Sequence, residues 1–486
     1  MKVNPNIFRG YDLRGLVGED LSPELALHLG RAFGTYLGRR GIKAAVVGRD
    51  CRETSPEYSE ALIKGLNEVG VSVIDIGMLL VGMFYWSQYF LKREGGVYVS
   101  ASHNPPEYNG FKFANGYSET LVSDGMQELR RLVQEEDYDL AESPAGHEKR
   151  DIKQDYYDDV VGRLPLSKKF KVLVDPGHTT AGASAPTLLR QAGCEVIERN
   201  TEVDPTFPLG IADPTETRVV ERLSAEVIEA GADIGFTYDS DGDRIGIVDE
   251  NGGIIWNDVL VALFAVDVLK DHPGATIMYN TLCSNVVKET ILANGGKPFM
   301  WRTGHSFLKK KNQEVKAAFI GELSGHFFFS ADFHNHDDGY YSTMRLLRYL
   351  GRTNQTLSEA VAKLPHYISS PEIKVSCADE KKVALVEELE PILKHDYPDA
   401  EVISDQRAGD GIRLDLPDAM LVVRYSQNGP YLTIKFEAKD TKRYEELREY
   451  VAEVLHRFPQ IDWESKISTN VEALVEPLEA LDGQKS

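Results

Sequence analysis

Residues 43–76 read KAAVVGRDCRETSPEYSEALIKGLNEVGVSVIDI, and they set the fold class. The stretch opens on a short apolar run, Lys43 to Val47, of the kind that forms a buried strand. Ser55-Pro56 then opens a helix: proline is pre-organised for the first helical position, and the N–H it lacks would have no partner there. Val71 to Ile76 is the next strand. Upstream, Ser22 and Pro23 give the same start signal, and Leu25, Leu29, Phe33, Tyr36 and Leu37 follow at helical spacing. Helix and strand in alternation predict a layered α/β domain with a largely parallel sheet.

The rhythm restarts downstream. Phe170 to Val174 is a strand running into Asp175-Pro176-Gly177, and Ile234 to Tyr238 and Ile245 to Val248 flank an acidic loop. Thr276 to Tyr279 begins a third unit, with Ala317 to Ile320 as a late strand. The last part changes character: a helix over Glu380 to Lys394, alternating strands over Gly411 to Arg424 and Tyr431 to Ala438, then a helix from Tyr444 to Phe458. That pattern predicts a small α+β domain. The polar stretches mark edges, giving domains over 1–150, 151–255, 256–369 and 370–465, and an extension over 466–486. In the extension Val471, Leu474, Val475 and Leu478 keep helical spacing but Pro477 breaks it, so a docked short helix and a loose end both fit.

With 486 residues the chain is long for a single core, and length alone suggests about three domains. The net charge of −22 argues against general nucleic-acid binding, which needs a basic face. It also means that an anionic ligand must be held by a local cationic pocket against the field of the whole. No run reaches the ~20 apolar residues of a membrane span, and Met1 to Tyr11 has no secretory pattern. The four cysteines form no Cys-x-x-Cys pair, which suits reduced thiols. The expected location is cytoplasmic, without nucleic-acid or membrane partners; monomer and dimer both remain open.

Five loops carry chemistry. In Tyr98 to Gly110, YVSASHNPPEYNG, a strand stops at Ser100-Ala101-Ser102-His103, displaying Ser102 where α/β sheets place ligands. Serine is a weak nucleophile unless a neighbour takes its proton; the same letters also fit a plain turn. Lys112 lies between Phe111 and Phe113, so in a strand it faces away from both rings. Asp239-Ser240-Asp241-Gly242-Asp243-Arg244 sets carboxylates at alternating positions, able to converge on a hard divalent cation. In Gly321-Glu322-Leu323-Ser324-Gly325-His326, the side chains of Glu322 and Ser324 can point together at vicinal hydroxyls, and His326 is a candidate acid or base. The same segment also reads as a glycine-rich turn. Arg424-Tyr425-Ser426-Gln427-Asn428-Gly429 offers what a phosphate dianion requires, though it also reads as an Asn-Gly hairpin. Arg9 and Arg14, among the glycines of FRGYDLRG at residues 8–15, make sense if this terminal loop folds into a site.

Taken in order, FRGYDLRG, SASHNPPEYNGFK, DSDGDR, RTGHSFLKK, GELSGH and RYSQNGP resemble the α-D-phosphohexomutase superfamily, specifically its bacterial phosphomannomutase/phosphoglucomutase branch. The resemblance runs from about Ile7 to about Phe458. It implies four domains around a central cleft, three similar α/β mixed-sheet domains and a C-terminal α+β domain of TATA-binding-protein-like fold. It implies an isomerase that interconverts hexose 1-phosphate and hexose 6-phosphate, of mannose or glucose, through a bound hexose 1,6-bisphosphate. Ser102 would carry the phosphoryl group, with Mg²⁺ held by Asp239, Asp241, Asp243 and a phosphoserine oxygen. Arg14, Lys112, His326 and His103 match catalytic or charge-stabilising positions. Arg9, Tyr11, Arg244, Thr303, Gly304 and His305 match cleft positions, Glu322 and Ser324 would bond the sugar's O3 and O4, and Arg424, Ser426, Gln427 and Asn428 would grip the phosphate that is not reacting.

There are departures. Asn428 stands where relatives usually have threonine, and Met78-Leu79-Leu80-Val81-Gly82 replaces a Pro-Thr-Pro-like turn, a change of packing or loop shape. Phosphoglucosamine mutase is the near alternative, but its sugar loop typically has glutamine where Leu323 stands. A haloacid-dehalogenase-type phosphatase is the remote one, with Asp239 as nucleophile and Asp337-Asp338 as later metal ligands.

Overall fold

The computed structural model describes residues 1–426 and 429–478. The chain divides into two compact units: one takes Met1–Asn257, His305–Ile320 and Ser324–Val361, the other Asp258–Gly304, Gly321–Leu323 and the chain from Ala362 onward.

In the first unit one sheet runs in the order Leu13–Leu16, Tyr108–Gly116, Gly95–Val99, Ala44–Arg49, Ser72–Met78, His147–Lys149. Ala44–Arg49 is parallel to both Gly95–Val99 and Ser72–Met78, as the alternating pattern predicts. Helices Pro23–Gly38, capped by Ser22 Oγ on the Leu25 N–H, and Ser55–Glu68 close one face over a core that includes Leu29, Phe33, Leu62, Val97 and Phe113. The sheet is mixed rather than largely parallel. The serine loop between Gly95–Val99 and Tyr108–Gly116 is too short for a crossover of a dozen residues, so the second strand returns antiparallel. That return places Lys112 opposite Tyr98. The polar stretch before Arg150 ends in an edge strand, His147–Lys149, whose full exposure hid it from a hydrophobicity reading.

A second sheet in this unit runs Ile254–Ile255, Ile245–Asp249, Ile234–Tyr238, Lys171–Val174, Glu195–Glu198. Ile234–Tyr238 and Ile245–Asp249 form an antiparallel hairpin, with the acidic loop at its tip.

In the second unit Thr276–Asn280 and Lys297–Trp301 pair in parallel. The chain then builds an antiparallel sheet in the order Glu401–Ile403, Gly411–Asp415, Ala419–Tyr425, Tyr431–Ala438, Ile373–Cys377, Ile461–Asp462. Helices Asp379–Asp396 and Thr441–His456 pack on it over Leu389, Leu421, Ile434 and Leu447. The predicted single run Gly411 to Arg424 is two strands, because Pro417 lacks an N–H and sits in a turn closed by Leu416 N–H to Ala419 O at 2.9 Å. The extension contains a docked short helix, Glu472–Val475, with Ala473 and Leu474 buried in that core. Among the described residues no helix is long and apolar enough to cross a membrane.

Candidate active site

Strand Gly95–Val99 is buried along its length and ends at the serine turn. Ser102 is buried, and its φ of +50° lies in the left-handed region, which costs a non-glycine residue roughly 1–2 kcal/mol. Its N–H donates to Ser100 Oγ at 2.8 Å. Its hydroxyl donates to Asp239 Oδ2 at 2.9 Å and lies 3.1 Å from His103 Nδ1. The turn therefore aims Ser102 and His103 the same way, which adjacency alone does not require.

The acidic loop meets this serine from the second sheet. Asp239, Asp241 and Asp243 are at most 1% exposed and bring carboxylate oxygens within 4.8 Å of one another. Lys112 Nζ lies 2.8 Å from Asp241 and 2.6 Å from Asp243. Burial, then the charges of Asp243 and Asp241, push the Asp239 carboxyl well above the usual range. Burial acts the same way on Asp243, but Lys112 and His326 outweigh it and hold that carboxyl well below. Three carboxylates with one adjacent ammonium are short of positive charge, and among the described residues Asp241 Oδ1 has no hydrogen-bond partner. The set is all hard oxygen, so it fits a divalent cation of the Mg²⁺ or Ca²⁺ type.

The loop is propped from below. Leu80 packs on Gly242, whose φ of +69° and whose 2.5 Å gap between an added Cβ and Leu80 Cδ1 would strain any larger residue. The Val81 N–H donates to Asp241 O at 3.0 Å. The altered turn after Gly77 thus packs against the acidic loop itself.

Around this centre stand the predicted cations. Arg14 bonds Asp12 at 2.8 Å, Asn104 Oδ1 at 2.7 Å and Ala101 O at 3.3 Å. Arg244 lies 3.6 Å from Asp213. His326 Nε2 is 3.4 Å from Asp243, and its Nδ1 is 2.8 Å from Ser324 Oγ. The His305 ring stacks on His326 at 5.1 Å and meets the edge of Tyr11 at 4.9 Å. Arg9 is partly exposed, and its backbone N–H holds the Asp12 carbonyl at 2.8 Å.

In the second unit Glu322 Oε2 accepts from the Gly304 N–H at 2.9 Å, and Thr303 Oγ1 accepts from Asn280 Nδ2 at 3.2 Å. Glu322 and Ser324 therefore bond different partners. Arg424 Nε donates to Asp410 at 2.9 Å. Gln427 and Asn428 lie outside the described residues. Flanking them, the carbonyls of Ser426 and Gly429 accept from Lys382 Nζ at 2.6 and 2.9 Å.

Sequence reasoning missed Lys382, whose position on a distant helix carries no local signal. It also missed Lys309, buried 3.7 Å over the Tyr85 ring and 3.4 Å from Asp337. Asp50 and Arg52 were missed too, although a buried strand that ends in Asp-x-Arg is a readable signal. Of the two acids proposed as phosphatase ligands, Asp337 faces His305 and Lys309 at 3.4 Å, and it also comes near Asp243 and His326. Asp338 instead caps helix Gly339–Thr353 and accepts from Tyr156 OH at 2.8 Å.

Burial, partly offset by the Tyr341 and Tyr340 N–H groups and Tyr156, raises Asp338 from 3.8 to about 7. The fold favours its protonated form. That stabilisation is complete below the unfolded value near 4 and is lost as pH rises through about 7. Asp338→Asn is expected to flatten the fall in unfolding free energy between pH 5 and 8, an effect of about 3 kcal/mol, roughly two units at about 1.4 per unit. Urea titrations at both pH values check this; parallel losses in parent and variant would contradict it.

A serine hydroxyl on a carboxylate cluster with fixed cations beside it offers the alignment and charge neutralisation that phosphoryl transfer needs. The comparisons with known proteins agree. Models of the phosphoglucomutase/phosphomannomutase alpha/beta/alpha domains I, II and III match residues 5–139, 154–253 and 256–367, and the C-terminal domain model matches 372–454. A phosphomannomutase/phosphoglucomutase of Pseudomonas putida is 38% identical over 444 residues, 91% of this chain and 94% of its own. A phosphoglucomutase of Neisseria gonorrhoeae is 34% identical over 95% of this chain and 99% of its own. A crystal structure of a phosphoglucomutase/phosphomannomutase family protein from Burkholderia thailandensis superposes with a TM-score of 0.86 at 33% identity, covering 95% and 99% of the two chains. The chain belongs to the phosphoglucomutase/phosphomannomutase family, a family of four-domain phosphohexomutases.

Proposed function

We propose that this chain interconverts hexose 1-phosphate and hexose 6-phosphate of mannose and glucose, with Ser102 as the phosphoryl carrier. The observation that carries the reading is the Ser102 hydroxyl, 2.9 Å from Asp239 in a buried carboxylate triad and 3.1 Å from His103. The sugar hydroxyl attacks phosphorus, the bond from phosphorus to Ser102 Oγ breaks, and the sugar's proton passes to a base. The serine oxygen is protonated as it leaves, and the bound hexose 1,6-bisphosphate turns end for end. Ser102 Oγ then gives up that proton and attacks the other phosphate, the bond from that phosphorus to the sugar oxygen breaks, and the sugar oxygen takes a proton to give the product hydroxyl. Asp241 and Asp243 outweigh burial to hold Lys112 charged, and Asp12 does so for Arg14. These two are therefore fixed cations, which leaves the imidazoles of His326 and His103 as the side chains that take and return the proton.

Asp239, Asp241, Asp243 and a phosphoserine oxygen would hold Mg²⁺, which supplies neutralisation of the transferring group's charge. Glu322 and Ser324 bond sugar hydroxyls. Arg424, Ser426, Gln427 and Asn428 hold the idle phosphate, and Lys382 bonds the carbonyls of Ser426 and Gly429. Arg9, Tyr11, Arg244, Thr303, Gly304 and His305 position the ligand. The domain edges fall at 1–150, 151–255, 256–369 and 370–465, with the extension from 466. The enzyme works in the cytoplasm on small phosphosugars, without nucleic acid or membrane.

Leu323 beside Glu322 favours neutral hexoses over amino sugars. Turnover of mannose 1-phosphate and glucose 1-phosphate is expected to exceed that of glucosamine 1-phosphate by about tenfold or more, the scale of losing one well-made polar contact. A preference for the amino sugar would overturn the assignment.

A further inference from the structure

Arg52 is 2% exposed, and the donors of both its Nη atoms converge on one loop. Nη1 donates to Pro105 O at 2.7 Å and Tyr108 O at 2.9 Å, and Nη2 to Ser102 O and Asn104 O at 2.6 Å each. Nε donates to Asp50 Oδ2 at 3.1 Å. Asp50 is fully buried and is held in turn by Ser55 Oγ at 2.6 Å and the Arg52 N–H at 3.0 Å. Ser55 Oγ also accepts from Asn109 Nδ2 at 3.1 Å, tying the pair to the far end of the same loop. The carbonyls that Arg52 binds begin at Ser102, whose left-handed backbone must be held by its surroundings. The Ser240 hydroxyl is the other donor to that carbonyl.

We propose that Arg52 is the positioning residue of the phosphoryl carrier: its planar fork fixes residues 102–108 so that Ser102 Oγ stays on Asp239. The proposal rests on the assignment of Ser102 as carrier. Arg52 contacts that loop through backbone carbonyls and acts on the reaction through Ser102. Lysine cannot replace it, since an ammonium keeps the charge opposite Asp50 but lacks the fork that reaches four carbonyls.

The test compares the parent chain with Arg52→Lys, and with Asp50→Asn, which leaves all four carbonyl bonds in place and serves if the lysine variant does not fold. Three quantities are read on folded protein: kcat and KM, the rate of Ser102 phosphorylation by hexose 1,6-bisphosphate, and amide exchange across the chain. Arg52→Lys is expected to lower kcat and the phosphorylation rate by about 100-fold, the cost of a nucleophile misplaced by about an ångström, with KM held within about twofold. Exchange at residues 101–108 should quicken about tenfold while strands Ala44–Arg49 and Gly95–Val99 stay protected. Asp50→Asn should give the same loop-restricted pattern with a smaller loss of kcat. Unchanged kcat per folded molecule, or exchange that rises evenly over the sheet in whichever variant folds, would make Arg52 a general structural arginine and overturn the proposal. A parent chain that takes no phosphate on Ser102 would sink the carrier assignment beneath it instead.

Discussion

Ser102→Ala is expected to lower mutase turnover at least ~10⁴-fold, the scale seen when an enzyme loses its covalent nucleophile. Hexose phosphate should still bind, with Kd within about tenfold of the parent by calorimetry, because binding is assigned to Arg424, Glu322 and their neighbours and not to the serine. The hydroxyl also donates to Asp239, so its removal leaves that oxygen without its donor. That cost, about 1–3 kcal/mol, should appear in the melting midpoint, not as failure to fold. Full turnover in this variant would refute covalent transfer through Ser102.

Asp241→Asn should be nearly as damaging by a different route. Asp241 contributes one of three buried carboxylates and bonds Lys112 at 2.8 Å and Ser100 Oγ at 3.1 Å. Losing its charge should weaken Mg²⁺ binding about 100-fold and turnover by about 10²–10³-fold at fixed metal, with partial recovery in excess Mg²⁺. The metal-free variant should melt no lower than the metal-free parent, since the substitution relieves like-charge crowding that already pushes Asp239 up. Chelation should abolish parent activity. Equal Mg²⁺ affinity in the two proteins would remove the loop from metal binding.

These effects were legible in the sequence to different depths. The period of a strand sufficed to turn Lys112 away from Phe111 and Phe113, and both rings lie in the core while the ammonium meets the carboxylates. The acidic loop was readable because an apolar strand rarely leads into an unpaired cluster of acids. The antiparallel return after the serine turn follows from loop length, yet the helix–strand rhythm alone pointed to parallel pairing. Leu80 and Lys309 act on partners 162 and 224 residues away, as their contacts to Gly242 and Tyr85 require, so no local pattern marks them, whereas the Asp-x-Arg that ends a buried strand does mark Arg52. The exposed strand His147–Lys149 has no apolar face to betray it, and Lys382 joins its loop only through tertiary packing.

The most direct test of phosphoryl carriage by Ser102 is peptide mapping of the intact enzyme after exposure to hexose 1,6-bisphosphate. One acid-stable phosphate on the peptide bearing Ser102, absent from the Ser102→Ala chain, is the predicted result. A labile acyl phosphate on Asp239, or no phosphate on either residue, would contradict it.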